Sequence, residues 1–145
     1  MISVDEILSL KGFKFPGGRK RIEHWENWLL TDCTDANQLP ERIVHPVALF
    51  HIPIQGAGIS ITELFELGKV TGAGSVGLEG YDWEYFLPLL ENVDYQFTGE
   101  IIDVERIENE SGRVYDRFVF RIEVHTDDGE LVARVTNSWR LWRVR

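Results

Sequence analysis

Residues 114–126, VYDRFVFRIEVHT, set Phe118, Phe120, Ile122 and Val124 against Arg117, Val119, Arg121 and Glu123 at a period of two. That spacing sorts side chains onto the two faces of an extended strand, so the chain is expected to build a half-buried sheet. Thr126-Asp127-Asp128-Gly129 follows, ending in the Asp-Gly pair that tight hairpins favour, and Glu130 to Val144 then resumes as a partner strand. Upstream, Asp94 to Glu105 predicts another long strand, joined to Val114 by the turn Asn109-Glu110-Ser111-Gly112. Tyr81 to Leu87 is aromatic and β-prone until Pro88 interrupts it, predicting a bend or bulge, and a strand beginning near Ser75 leaves the glycine-rich stretch 72–80. The second half therefore reads as an antiparallel meander.

The first half predicts helices. Gly56 to Lys69, GAGISITELFELGK, places Ile61, Leu64, Phe65 and Gly68 on one face and is expected to form a central helix roughly 20 Å long that the strands wrap. Residues 2–10 predict a short amphipathic helix capped by Ser3, with Ile2 and Ile7 placed for a hydrophobic staple. Ile22 to Asp32 predicts a second, with Ile22, Trp25, Trp28 and Leu29 inward and Glu23, His24, Glu26 and Asn27 mostly outward. Between the two helical regions, Lys11 to Arg21 concentrates positive charge in a loop, either solvated or in contact with phosphate, and Thr31 to Gly56 reads as one long loop of the kind that often carries function.

Length bounds the architecture: 145 residues suit one domain spanning 1–145, and a 43% hydrophobic, 12% aromatic composition excludes a disordered chain. A net charge of −9 argues against nucleic acid as a partner. The single cysteine, Cys33, allows no internal disulfide or multi-cysteine zinc site, and neither a signal peptide nor a long apolar span is evident, so a cytoplasmic protein away from membranes is expected. Five tryptophans point to apolar surface covered by another chain.

The segments RIEHWENWLLTDCTDANQLP, HPVALF, YDWEYFLPLLENVDYQFTGEIIDVE and DDGELVARVTNSWRLWRV together resemble the MaoC-like (R)-specific enoyl-CoA hydratase and 3-hydroxyacyl dehydratase family, in particular its N-terminal-type domains. The resemblance implies an α+β hot-dog fold, in which an antiparallel sheet wraps a long central helix. It also implies a homodimer or a heterodimer with another hot-dog chain, an acyl thioester of coenzyme A or acyl carrier protein as substrate, and no other cofactor.

Active members share a loop of glycine, aspartate, any residue, asparagine, proline, an aliphatic and histidine. Laid onto this chain, Asp35 and Asn37 match the aspartate and asparagine and Leu39 the aliphatic, whereas Thr34 replaces the glycine, Gln38 the proline and Pro40 the histidine. Hydration of a trans-2-enoyl thioester needs one group to activate water and one to protonate the α-carbon, and proline does neither. The chain is then the non-catalytic half of a heteromeric hydratase, or uses another histidine, or performs different acyl-thioester chemistry. His45 and His51 are the candidate substitutes. His51 followed by Glu63 loosely resembles the fatty-acid-synthesis dehydratases, where a loop histidine pairs with a carboxylate on the central helix. Glu63 alternatively resembles the helix carboxylate of hot-dog thioesterases, or is an exposed carboxylate favoured by the helix dipole. Gly56, Gly58 and Ile59 are expected to offer backbone N–H groups at the helix N-terminus to a thioester carbonyl. At the far end, Trp139 and Trp142 fall on opposite faces of the last strand, one for the core and one for an interface, and Arg140, Arg143 and Arg145 are either exposed or meet an acidic partner or coenzyme A phosphates.

Overall fold

The computed structural model describes residues 2–143. Its elements are α1 (Val4–Leu8), β1 (Gly18–Arg21), α2 (His24–Asp32), α3 (Ile52–Gly56), α4 (Ile61–Leu67), β2 (Val76–Tyr85), β3 (Asp94–Glu108), β4 (Val114–Thr126) and β5 (Leu131–Trp142), with short 3-10 turns at Pro40–Arg42, Pro46–Phe50 and Ala73–Ser75. One antiparallel sheet runs in the order β1-β3-β4-β5-β2. Its alternation is the expected one: Phe118, Phe120, Ile122 and Val124 are all fully buried. Trp139 joins them, its ring at 88° and 5.1 Å to Phe120, and the helices cover this face through Ile7, Leu49, Ile52 and Leu64. Trp142 lies on the other face, against Tyr115 and under the Arg113 guanidinium. Among the described residues no helix is long and apolar enough to cross a membrane.

The structure departs from expectation at several points. The central helix is two short helices, because Gly58 takes a φ of +72° and lies so close to the Gly17 carbonyl that a Cβ there would fall 2.4 Å from its oxygen. A new helix then starts at Ser60, whose hydroxyl accepts from the Glu63 amide while the Glu63 carboxylate accepts from the Ser60 amide. The second half is not a simple meander: β2 pairs with β5 rather than with the β3 that follows it, and residues 86–93 carry the chain from one side of the sheet to the other. The loop expected over 31–56 is largely structured, by two 3-10 turns and α3.

The basic loop is instead a sheet edge. Lys14 bridges to Glu100 and β1 pairs with β3, which sets each cation beside an acid: Lys11 with Asp103, Lys14 with Glu100, Arg19 with Asp94 and Asp127, Lys20 with Glu26, and Arg21 with Asp94. Pairing on this scale leaves little free charge for a phosphate. The terminal arginines are likewise engaged within the chain, Arg140 with Glu79 and Arg143 with Asp116, and Arg145 lies outside the described residues.

Ile22 is buried and His24 exposed as expected, but helix α2 is otherwise turned the other way from its apolar pattern. Asn27 and Thr31, four residues apart on one face, are 2% and 1% exposed, whereas Trp25, Trp28 and Leu29 are 59%, 48% and 47% exposed. A polar face turns inward only where it finds hydrogen-bond partners.

Candidate functional site

Those partners lie where two loops meet. The Val44 amide donates to the Leu89 carbonyl and the Glu91 amide to the Arg42 carbonyl, with a bridge between Ile43 and Leu90, so residues 42–44 and 89–91 form a short antiparallel ladder outside the main sheet. An apolar cavity of about 350 Å³ opens at one end of it, walled by Leu39, Val44, Pro46, Phe86, Leu87 and Leu89 among others. At the other end is a polar cavity, also of about 350 Å³, lined by His24, Gln38, Leu39, Arg42, Glu91 and Asn92. Leu39 borders both. The loop after α2 turns back along the helix, with the Gln38 amide at 3.5 Å from the Trp28 carbonyl oxygen, and this return brings Gln38 and Leu39 beside His24. Glu41, Arg42 and Asn92 hold φ values of 56°, 63° and 59°, a left-handed backbone that costs non-glycine residues energy.

The floor of the polar cavity is a buried network. Asn27 Nδ2 donates to Glu91 Oε1 at 2.6 Å and to the Ile43 carbonyl at 3.3 Å, while Asn27 Oδ1 accepts from the His45 amide at 2.9 Å. Thr31 Oγ1 donates to the Asn27 carbonyl. The other Glu91 oxygen faces His24 Nδ1 at 2.9 Å. The Glu91 side chain is 6% exposed, that of His24 70%. Burial pushes the Glu91 carboxyl up, but hydrogen bonds from Asn27 and His24, with the charge of Arg42 nearby, outweigh it and leave the pKa below its ordinary value. The Glu79 carboxyl also ends low, burial being overcome by Arg140 and Ser138, and Asp94 is lowered by its bond to Arg21. A carboxyl depressed in the fold contributes stability above its unfolded pKa and loses it as pH falls through the folded one. The urea midpoint is therefore expected to be lower at about pH 3 than at about pH 7, and Glu91→Gln to reduce that difference.

The residues singled out from sequence are not gathered in one place. Asp35, with φ 56°, and Asn37 are exposed on the loop beyond the C-terminal end of α2. Pro40 opens the 3-10 turn that leads to Arg42. His45 caps the next turn, its Nδ1 accepting from the Val47 amide at 3.1 Å. His51 is half-buried at the start of α3. The Glu63 carboxyl accepts from the Ser60 amide at 2.7 Å, and hydrogen bonding to Ser60 lowers its pKa from the ordinary value; it lines a third cavity of about 370 Å³ with Leu10, Phe13, Pro16, Ile59 and Leu67, which includes neither Asp35 nor His51. Gly56 ends α3 instead of opening a helix, lying so flat on Phe97 that a Cβ would sit 2.4 Å from its ring, and Ile59 is 7% exposed. Among the described residues no hydrogen bond or ion pair joins Asp35, His51 and Glu63 to one another.

The sequence reading places His24 and Asn27 on the outward face of their helix and gives no role to Arg42 or Glu91; His24 is exposed as expected, whereas Asn27 is buried. One signal was available: Glu91 is the only charge in the apolar run FLPLLENV, and a charge buried among apolar neighbours must be matched by polar groups from elsewhere.

No protein-family model matches the sequence, and comparison with curated proteins returns no significant match. The structure does match solved ones. It is similar to a monoamine oxidase regulatory protein from Archaeoglobus fulgius at a TM-score of 0.68 and 13% identity, covering 93% of this chain and 92% of that one. It is similar at the same score and identity to the HadBC (3R)-hydroxyacyl-ACP dehydratase complex of Mycobacterium tuberculosis, over 90% of this chain and 96% of that one. The (R)-hydratase of A. caviae involved in PHA biosynthesis matches at 0.63 and 14% identity, over 90% and 96%. The chain has the α+β hot-dog fold that the sequence predicts, an antiparallel sheet packed against helices.

Proposed function

We propose that this chain works on acyl thioesters as an enoyl hydratase or 3-hydroxyacyl dehydratase, in an assembly with a second hot-dog chain. The carrying observation is the pair of cavities that adjoin at Leu39, one apolar and one bearing an imidazole, a carboxylate and a guanidinium. Each is within the size range of small-molecule sites, and together they suit a substrate with an aliphatic tail and a polar reacting head. The likeness of fold to a hydratase and a dehydratase supports the reading. The exposed face of α2, with Trp25, Trp28 and Leu29, and the edge strand β2, with Leu78 and Trp83 exposed, are the surfaces offered to the second chain. A reducing cytoplasm fits the lone Cys33 and the thioester carriers.

The test follows a panel of trans-2-enoyl-CoA substrates with the purified protein, reading enoyl absorbance and free thiol in parallel. Enoyl loss without thiol is the expected result. Thiol release would replace this reading with a thioesterase using Glu63, whose carboxylate borders the third cavity.

A further inference from the structure

Resting on the hydratase reading, we propose that His24, oriented by Glu91, is the acid–base group of this chain, in place of the histidine that Pro40 displaces from the loop. The pair runs from inside to outside: a carboxylate 6% exposed anchors an imidazole whose side chain is 70% exposed. Glu91 is fixed by Asn27 Nδ2 at 2.6 Å on one oxygen, so the other has a set direction toward His24 Nδ1. A carboxylate only accepts, so Nδ1 carries the proton and Nε2 keeps its lone pair free for chemistry. Were the pair only a tie between α2 and the 86–93 link, no cation in a strained backbone would be needed beside it. Arg42, at φ 63°, nonetheless lines the same cavity, and Leu39 joins that cavity to the apolar one.

With an enoyl thioester bound, its acyl tail lies along Leu39, Val44 and Leu87 and its conjugated head enters the polar cavity. His24 Nε2 takes a proton from water as the water oxygen bonds to C3, and the C2=C3 electron pair moves toward the thioester oxygen, giving an enolate. Arg42 supplies the positive charge for that oxygen. The imidazolium then returns its proton to C2 as the thioester carbonyl re-forms. One water is added across the double bond, nothing is oxidised or reduced, and the reverse sequence dehydrates the 3-hydroxyacyl thioester.

The experiment compares the wild-type protein, in the assembly in which it purifies, with His24→Gln and Glu91→Gln. His24→Gln removes the base at an exposed position. Glu91→Gln keeps the Asn27 contact but presents an N–H to His24 Nδ1, which forces the proton onto Nε2; Glu91 is thus a positioning residue. Both are expected to lower kcat by about 100-fold or more with KM changed by less than about threefold. Imidazole 15N shifts give a reading apart from turnover: Nε2 unprotonated in the neutral wild type, protonated in Glu91→Gln. Wild-type turnover that survives in His24→Gln within about twofold, or a His24 tautomer unmoved by Glu91→Gln, overturns the dyad and leaves the hydratase reading standing. A wild type that hydrates no enoyl-CoA overturns both.

Discussion

Asp116→Ala is expected to destabilise the fold by about 3–5 kcal/mol, the range for breaking a buried ion pair from one side. Asp116 is fully buried in β4 and grips two arginines: Arg106 Nε at 2.7 Å and Nη2 at 2.9 Å, and Arg143 Nε at 2.6 Å. Both guanidiniums reach onward. Arg106 donates to the Ile2 carbonyl, and Arg143 to the carbonyls of Gly68 and Lys69 at the end of α4. One carboxylate therefore joins the N-terminal segment, β3, the helix end and the tail of β5. Alanine would leave two cations, 15% and 5% exposed, with no counter-charge. Urea unfolding measures the loss; a change below about 1 kcal/mol would mean that water replaces the carboxylate freely, contrary to the burial described.

Asn27→Leu, an apolar replacement of similar size on the inner face of α2, is expected to cost about 3 kcal/mol despite improving the helix's apolar pattern. It removes the donors to Glu91 Oε1 and the Ile43 carbonyl and the acceptor of the His45 amide at once, leaving the Glu91 carboxylate only its contact with His24. Because the same substitution frees Glu91 to turn, activity should fall with stability. If Asn27→Leu instead stabilised the protein, α2 would have to present the face its tryptophans predict.

That inversion shows where sequence reasoning ends. The strands were legible because each residue of β4 reports its face through its neighbours, and the Asp-Gly turn fixes the partner that follows; Phe118, Phe120, Ile122 and Val124 are buried, and the residues between them are not. Which edge β2 joins depends on where an eight-residue link crosses, which no local pattern records. For the helices, the apolar count on α2 pointed outward because the inward face is held by a carboxylate more than 60 residues away. The sequence places Gly58 in a helix opening, but its role depends on contact with Gly17, a distant residue in the chain. The site followed the same rule: the half-motif around Asp35 was visible locally, while His24 and Glu91 acquire meaning only when α2 and the 86–93 link are brought together.

The most direct test of the acyl-thioester reading is incubation of crotonyl-CoA with the protein in 18O-labelled water, followed by mass spectrometry of the intact thioester. The account predicts a 3-hydroxybutyryl-CoA carrying one 18O at C3 and no free coenzyme A. Unlabelled crotonyl-CoA recovered unchanged, or coenzyme A released with 18O in the free acid, would contradict it.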